Sequence, residues 1–175
     1  MNQFSDILSN DILNKVKENI YVVLKRSMLK FHTNMPASAS ENGVYTFNPN
    51  FYDDWHVGFW AGIYYLAHEM FGDRTFLSYA ESITEALQQK TINRTVWESP
   101  DEGFIYMPSC VNSFKVNRNY QSVETLCIAA DRMVKSNMDV EKDKLHIGRT
   151  KAGDITNLNL LRLVGLISTN EKYTR

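Results

Sequence analysis

The chain has 175 residues, 43% of them hydrophobic and 22% charged, with a formal net charge of −1. That is apolar material enough for one domain with a core, and it excludes a bulk basic field that would draw in nucleic acid or an anionic membrane. Cys110 and Cys127 match no metal-ligand spacing and read as free thiols of a reducing compartment rather than as a disulfide.

The opening stretch MNQFSDILSNDILNK carries Asp6 and Asp11 inside any would-be apolar run, which argues against a signal peptide. No run approaches the roughly 20 apolar residues of a membrane helix, so a cytoplasmic protein is expected. NDILNKVKENIYVVLKRSMLKF then sets Ile12, Val16, Ile20, Val23 and Leu24 on one face of a helix that Asn10 could cap. A loop rich in Pro, Ser, Asn and Gly follows from about His32 to Asp54, with room for short hairpin pieces. GFWAGIYYLAHEMFGD is a second helix, apolar on most sides and so expected to be buried. RTFLSYAESITEALQQK is a third, with Phe76, Ala80, Ile83 and Leu87 in register. After a loop from Trp97 to Met107, Pro108 fits the first turn of a fourth helix, PSCVNSFKVN. YQSVETLCIAADRMVKS, with Val123, Leu126, Ile128 and Met133, makes a fifth, and DITNLNLLRLVGLIS a sixth.

A weak repeat runs through these helices. GDRTF, VNRNY and TNEKY start at 72, 116 and 169, and each holds Asp or Asn, two polar residues and an aromatic: Asp73 to Phe76, Asn117 to Tyr120, Asn170 to Tyr173. Each follows one helix and opens the next, which suits repeated helical hairpins. On that reading the chain stops as a further helix opens, as a fragment of a longer array would.

Three stretches resemble glycoside hydrolase family 88, the unsaturated glucuronyl hydrolases. DDWHVGFWAGIYYLAHEMFGD is similar to the family's D-W-x-x-G-F-W-x-G-x-x-x-L-A-x-E-x-x-G-D, and DEGFIYMPSC to its H-D-x-G-F-x-Y-x-P-S-C. ITNLNLLRLVGLISTNEKY is similar to its D-x-x-x-N-L-x-L-L helix and the turn that follows. The resemblance implies an all-α fold, a partial α/α-toroid amounting to about half of a six-hairpin barrel. It spans 1–175 as one incomplete domain of the first two and a half hairpins, with inner helices lining a hollow. Half a ring leaves a seam of apolar surface, so low stability, self-association or a partner chain at the seam is expected.

The implied activity is a glycosidase of carbohydrate metabolism that removes 4,5-unsaturated glucuronic acid from glycosaminoglycan oligosaccharides left by lyases. A carboxylic acid protonates the double bond, water adds, and the hemiketal collapses, so the usual two-carboxylate geometry is a loose guide. No metal or cofactor is implied, and the partner is an unsaturated uronic-acid disaccharide or oligosaccharide. Asp101 matches the family's first active-site aspartate; without the motif it would read as a loop or capping residue. Trp55 matches a substrate-binding tryptophan, its flat face suited to a sugar, and is projected into the same hollow as Asp101. Pro100 stands where the family has histidine. The family's acid/base position falls on Gly153, with Asp154 one place later, and one residue turns a helical side chain by about 100°. Either the shortened loop before it turns Asp154 inward, or Asp154 caps the helix 155–168, the commoner role for Asp ahead of this pattern. Cys110 reads as buried filler, Trp60 as packing, and His56, His68 and His146 as neither metal ligands nor catalysts. The half ring, the displaced acid and the lost histidine each weaken a preorganised site. The competing expectations are a catalytically dead sugar binder that keeps Trp55 and Asp101, and a helical interaction module or split-gene remnant.

Overall fold

The computed structural model describes residues 10–32, 34–37, 39–48, 55–93, 101–139, 144–145 and 151–168. The helices are α1 (Asn10–Phe31), α2 (His56–Phe71), α3 (Arg74–Ile92), α4 (Glu102–Tyr106), α5 (Asn112–Asn117), α6 (Tyr120–Asn137) and α7 (Lys151–Ser168). A π-helical segment, Met107–Val111, joins α4 to α5, and strands β1 (Met138–Asp139) and β2 (Lys144–Leu145) form one short antiparallel pair. Two helical layers result. α2, the α4–α5 unit and α7 pack side by side, and α3 and α6 pack behind them. This is a partial α/α-toroid.

The expected helix starting at Pro108 is corrected: the helix starts at Glu102, and Pro108 sits inside it. A proline has no N–H and crowds the carbonyl four residues back. The wider π turn over Met107–Val111 accommodates it, so the helix continues where an α-helical ladder would break.

The cap falls where the aromatic pattern put it in the first copy and two residues later in the second. Asp73 caps α3, its carboxylate accepting from the Thr75 N–H at 2.8 Å, and follows Gly72 in the left-handed region at φ 68°. The equivalent pair is Arg118, left-handed at φ 53°, and Asn119, whose Oδ1 accepts from the Gln121 N–H at 3.1 Å. Asn117, the expected cap, is instead the last residue of α5. Asn170 and Tyr173 of the third copy lie outside the described residues.

The core takes Phe76, Ala80, Ile83 and Leu87 from α3, as their spacing predicts, with Tyr64 and Tyr65 of α2, Leu126 and Met133 of α6, and Leu160 and Val164 of α7. Polar side chains link helices within and between the layers. Gln88 of α3 donates to Ser122 of α6 at 2.6 Å, and Ser113 of α5 donates to Glu81 of α3 at 2.9 Å. Cys110 and Cys127 are free thiols. Cys110 is wholly buried, and burial pushes its thiol up to about 12.

In the loop after α1, Asn42 and Gly43 both have positive φ, 51° and 76°, and Glu41 and Val44 exchange backbone hydrogen bonds. This is an Asn-Gly hairpin turn of the primed kind. Phe47 of this hairpin packs edge-on against Phe31.

α1 docks through Tyr21, Leu24, Met28 and Phe31, while Ile12, Val16, Ile20 and Val23 of the expected face stay exposed. α2 is likewise buried on one side only, and Phe59, Ile63, Leu66 and Met70 form an exposed apolar stripe. α7 exposes Ile155, Leu158 and Leu166 at the other end of the arc.

The docking of α1 centres on Asp73. Its Oδ2 accepts from the Tyr21 hydroxyl at 2.8 Å and pairs with the Lys25 ammonium at 2.8 Å. Lys25, then the Thr75 backbone and Tyr21, hold the Asp73 carboxyl well below the usual carboxylate range. A depressed folded-state pKa stabilises above the unfolded value, near 4, and is lost as pH falls below it. Protection of α1 amides, measured against the intrinsic exchange rate at each pH, is therefore expected to fall progressively below about pH 4 while α3 stays protected. Asp73→Asn is expected to bring the same loosening at neutral pH; an unchanged α1 would show that the aromatic contacts suffice.

Candidate active site

The inner layer is drawn together by two close approaches. At Gly58 of α2 an added Cβ would stand 2.2 Å from the Ile105 carbonyl oxygen, and at Gly103 one would stand 2.4 Å from the Thr156 carbonyl carbon. Only a residue without a side chain lets α2 and α7 come this close to α4. The starts of α2 and α4 and the first turns of α7 are thereby gathered at one end.

Trp55 immediately precedes α2 and is 39% exposed, so a face remains accessible. His56 stacks on it at 3.7 Å between ring centroids, and Phe104 lies 5.5 Å away. Phe59 completes the cluster at 5.7 Å from Phe104. Asp101 immediately precedes α4, three residues before Phe104, so Trp55 and the Asp101 turn lie at the same end of the molecule. The Asp101 side chain is half-buried and, although it stands at the N-cap position of α4, makes no capping hydrogen bond to that helix.

α7 begins at Lys151, so Asp154 lies inside its first turn instead of capping it. The expected cap at 154 is corrected accordingly: the helical pattern extends three residues further back than the apolar periodicity reveals. An acidic residue in a first turn is favoured by the helix dipole wherever the boundary falls. The side chain of Asp154 lies outside the description, as do Pro100 and His146.

Several neighbours of Asp101 carry no signal in composition or spacing. Glu102, 2% exposed, pairs with Arg132 of α6 at 3.0 Å. Arg132 also donates to the Tyr106 hydroxyl at 2.7 Å, and that hydroxyl meets Thr91 of α3 at 2.9 Å. Burial, with the nearby Glu102 carboxylate, raises the Tyr106 hydroxyl far above its ordinary value, so it remains a neutral member of the chain. On the α7 side, the Gly103 N–H donates to Asn157 Oδ1 at 2.7 Å. Trp60 packs edge-on between Phe31 and Tyr64, as expected of a packing residue. His68 Nδ1 lies 3.1 Å from the Asp73 carbonyl, remote from this end. Among the described residues no cluster of three or more His, Cys, Asp or Glu could hold a metal, and no helix is long and apolar enough to cross a membrane.

No family model matches the chain. An unsaturated chondroitin disaccharide hydrolase of Streptococcus agalactiae serotype III is 29% identical over 133 residues, which is 73% of this chain and 33% of that protein. The unsaturated glucuronyl hydrolase of Bacillus sp. strain GL1 is 25% identical over 113 residues, 65% of this chain and 29% of that protein. Among solved structures, unsaturated glucuronyl hydrolase from Streptococcus agalactiae superposes with a TM-score of 0.77 at 24% identity, covering 95% of this chain and 40% of that one. A heparin-specific unsaturated glucuronyl hydrolase gives 0.77 at 20% identity, covering 94% and 45%. The class defined by the fold is therefore the α/α-toroid. Within it, the chain resembles the unsaturated glucuronyl hydrolases, glycoside hydrolase family 88, over the N-terminal part of the family's length. It spans about a third of the length of the curated relatives it matches.

Proposed function

We propose that this chain is the N-terminal half-ring of a glycosidase that removes 4,5-unsaturated glucuronic acid from lyase-derived glycosaminoglycan disaccharides. The observation that carries this reading is the gathering of Trp55, the Asp101 turn and the first turns of α7 at one end, through the close approaches at Gly58 and Gly103. Trp55 would lie under the sugar ring and Asp101 would accept a hydrogen bond from a sugar hydroxyl. Asp154 would act as the acid. The ring oxygen polarises the 4,5 double bond, so the proton goes to C4 and positive charge develops at C5. Water adds at C5 and returns a proton to the carboxylate; the hemiketal then opens to a C5 ketone and a C1 hemiacetal, and the hemiacetal collapses to an aldehyde, releasing the second sugar. The starts of α2 and α7 at this end favour an anionic uronate.

A second reading draws on the exposed stripes of α1, α2 and α7. Apolar surface of this extent marks an interaction face, and the half-ring would associate with a second copy or a partner chain along it. One sample tests both readings: light scattering gives the particle mass, and loss of double-bond absorbance with unsaturated chondroitin disaccharide gives the activity. Turnover that falls at least about a hundredfold in Asp154→Asn, the usual scale for removing a general acid, is expected. Equal turnover in the variant would dismiss Asp154 as the acid, binding without turnover would make the chain a sugar binder, and a strict monomer would dismiss the seam.

A further inference from the structure

We infer that Asn157 is a positioning residue, which fixes the Asp101 turn against the early turns of α7, the helix whose backbone also carries Asp154. The inference rests on the proposed sugar site. Asn157 is wholly buried, an expensive place for a primary amide unless its polar atoms are used. Its Oδ1 takes the Gly103 N–H at 2.7 Å, across 54 residues of sequence.

Three neighbours hold the Asp101 turn, and they differ in what they connect. Glu102 is tied by Arg132 to α6, in the outer layer. Phe104 is packed by Trp55 and Phe59, on the α2 side. Asn157 alone among these three belongs to the helix that also carries Asp154. The two positions are three residues apart, about 4.5 Å along a helix axis. The Gly103 N–H precedes the Phe104 N–H, which donates to the Asp101 carbonyl at 3.0 Å. A shift at Asn157 therefore reaches the backbone of Asp101 through two consecutive amides. With no Cβ at Gly103, the α7 backbone lies directly on that turn, and the side-chain amide sets its register.

The test uses the full chain with Asn157→Asp, which keeps an acceptor at Oδ1, and Asn157→Leu, which has similar bulk and none. Asn157→Ser, too short to reach, replaces Asn157→Leu if the latter does not fold. Hydrogen exchange at Gly103 should accelerate at least tenfold in Leu or Ser while Ile83 and Leu87 of α3 stay protected, and Asp should restore the wild-type rate. Calorimetry with unsaturated chondroitin disaccharide should show at least tenfold weaker binding in Leu or Ser and near wild-type binding in Asp. Unchanged exchange at Gly103, exchange accelerated equally in α3, or failure of Asp to rescue would overturn the inference. Local loss of protection rescued by Asp, in a wild-type chain that binds no disaccharide, would uphold the brace and sink the sugar reading.

Discussion

Replacing Arg132 by Leu is expected to cost about 3–5 kcal/mol of stability, the scale for stranding one partner of a buried ion pair. Glu102 is 2% exposed and Arg132 is its cation at 3.0 Å. Without it a carboxylate stays inside the protein with its countercharge removed. The damage spreads, because Arg132 also donates to the Tyr106 hydroxyl, which is linked to Thr91, and Thr91 in turn donates to the Leu87 carbonyl at 2.8 Å. Urea unfolding of the single variants and of the double variant Glu102→Gln with Arg132→Leu gives the coupling. The double variant is expected to be more stable than Arg132→Leu alone, since the stranded charge is gone. A loss below about 1 kcal/mol in Arg132→Leu, the range of solvated surface pairs, would show that water reaches Glu102.

Gly103→Ala is expected to be nearly as damaging. Its Cβ would meet the Thr156 carbonyl carbon at 2.4 Å and the Asn157 nitrogen at 2.7 Å. Both are backbone atoms, so no side chain can swing aside and α7 itself must move. Overpacking against such a wall costs about 3 kcal/mol, and in a chain of this size that lowers the melting temperature by about 6–12 °C. A thermal melt checks this. The affinity for unsaturated disaccharide should fall with it, because the same displacement moves the Asp101 turn away from Asp154. A melt within about 2 °C of wild type would mean that the contact between α4 and α7 is softer than this packing implies.

The limits of α1 and α3 were legible in the sequence, as was the buried face of α3; most of the face expected of α1 is not the one that docks. Apolar periodicity along the chain also led to a helical architecture. What lay hidden has a physical cause in each case. Pro108 carries a start signal, and nothing local tells that a π turn will hold it inside a helix. Asn119 was missed as a cap because the residue ahead of it, Arg118, adopts a left-handed conformation usually given to glycine. The neighbourhood of Trp55 and Asp101 was reached through motif likeness, not through spacing. Glu102 and Arg132, thirty residues apart, leave no periodic trace of their pairing. Asn157 was visible inside a motif, but its use as an acceptor for Gly103 depends on two helices touching, which only coordinates reveal.

Cys110 has a practical consequence of its own. Its sulfur, carried by the π segment itself, is sealed in the interior and its thiol is held far from ionisation, whereas Cys127 is only partly covered. Alkylating reagents attack thiolates, so they reach Cys110 only when the interior opens. The chain thus contains an internal gauge of its breathing, and differential labelling of its two sulfurs would time core openings against surface accessibility without any engineered probe.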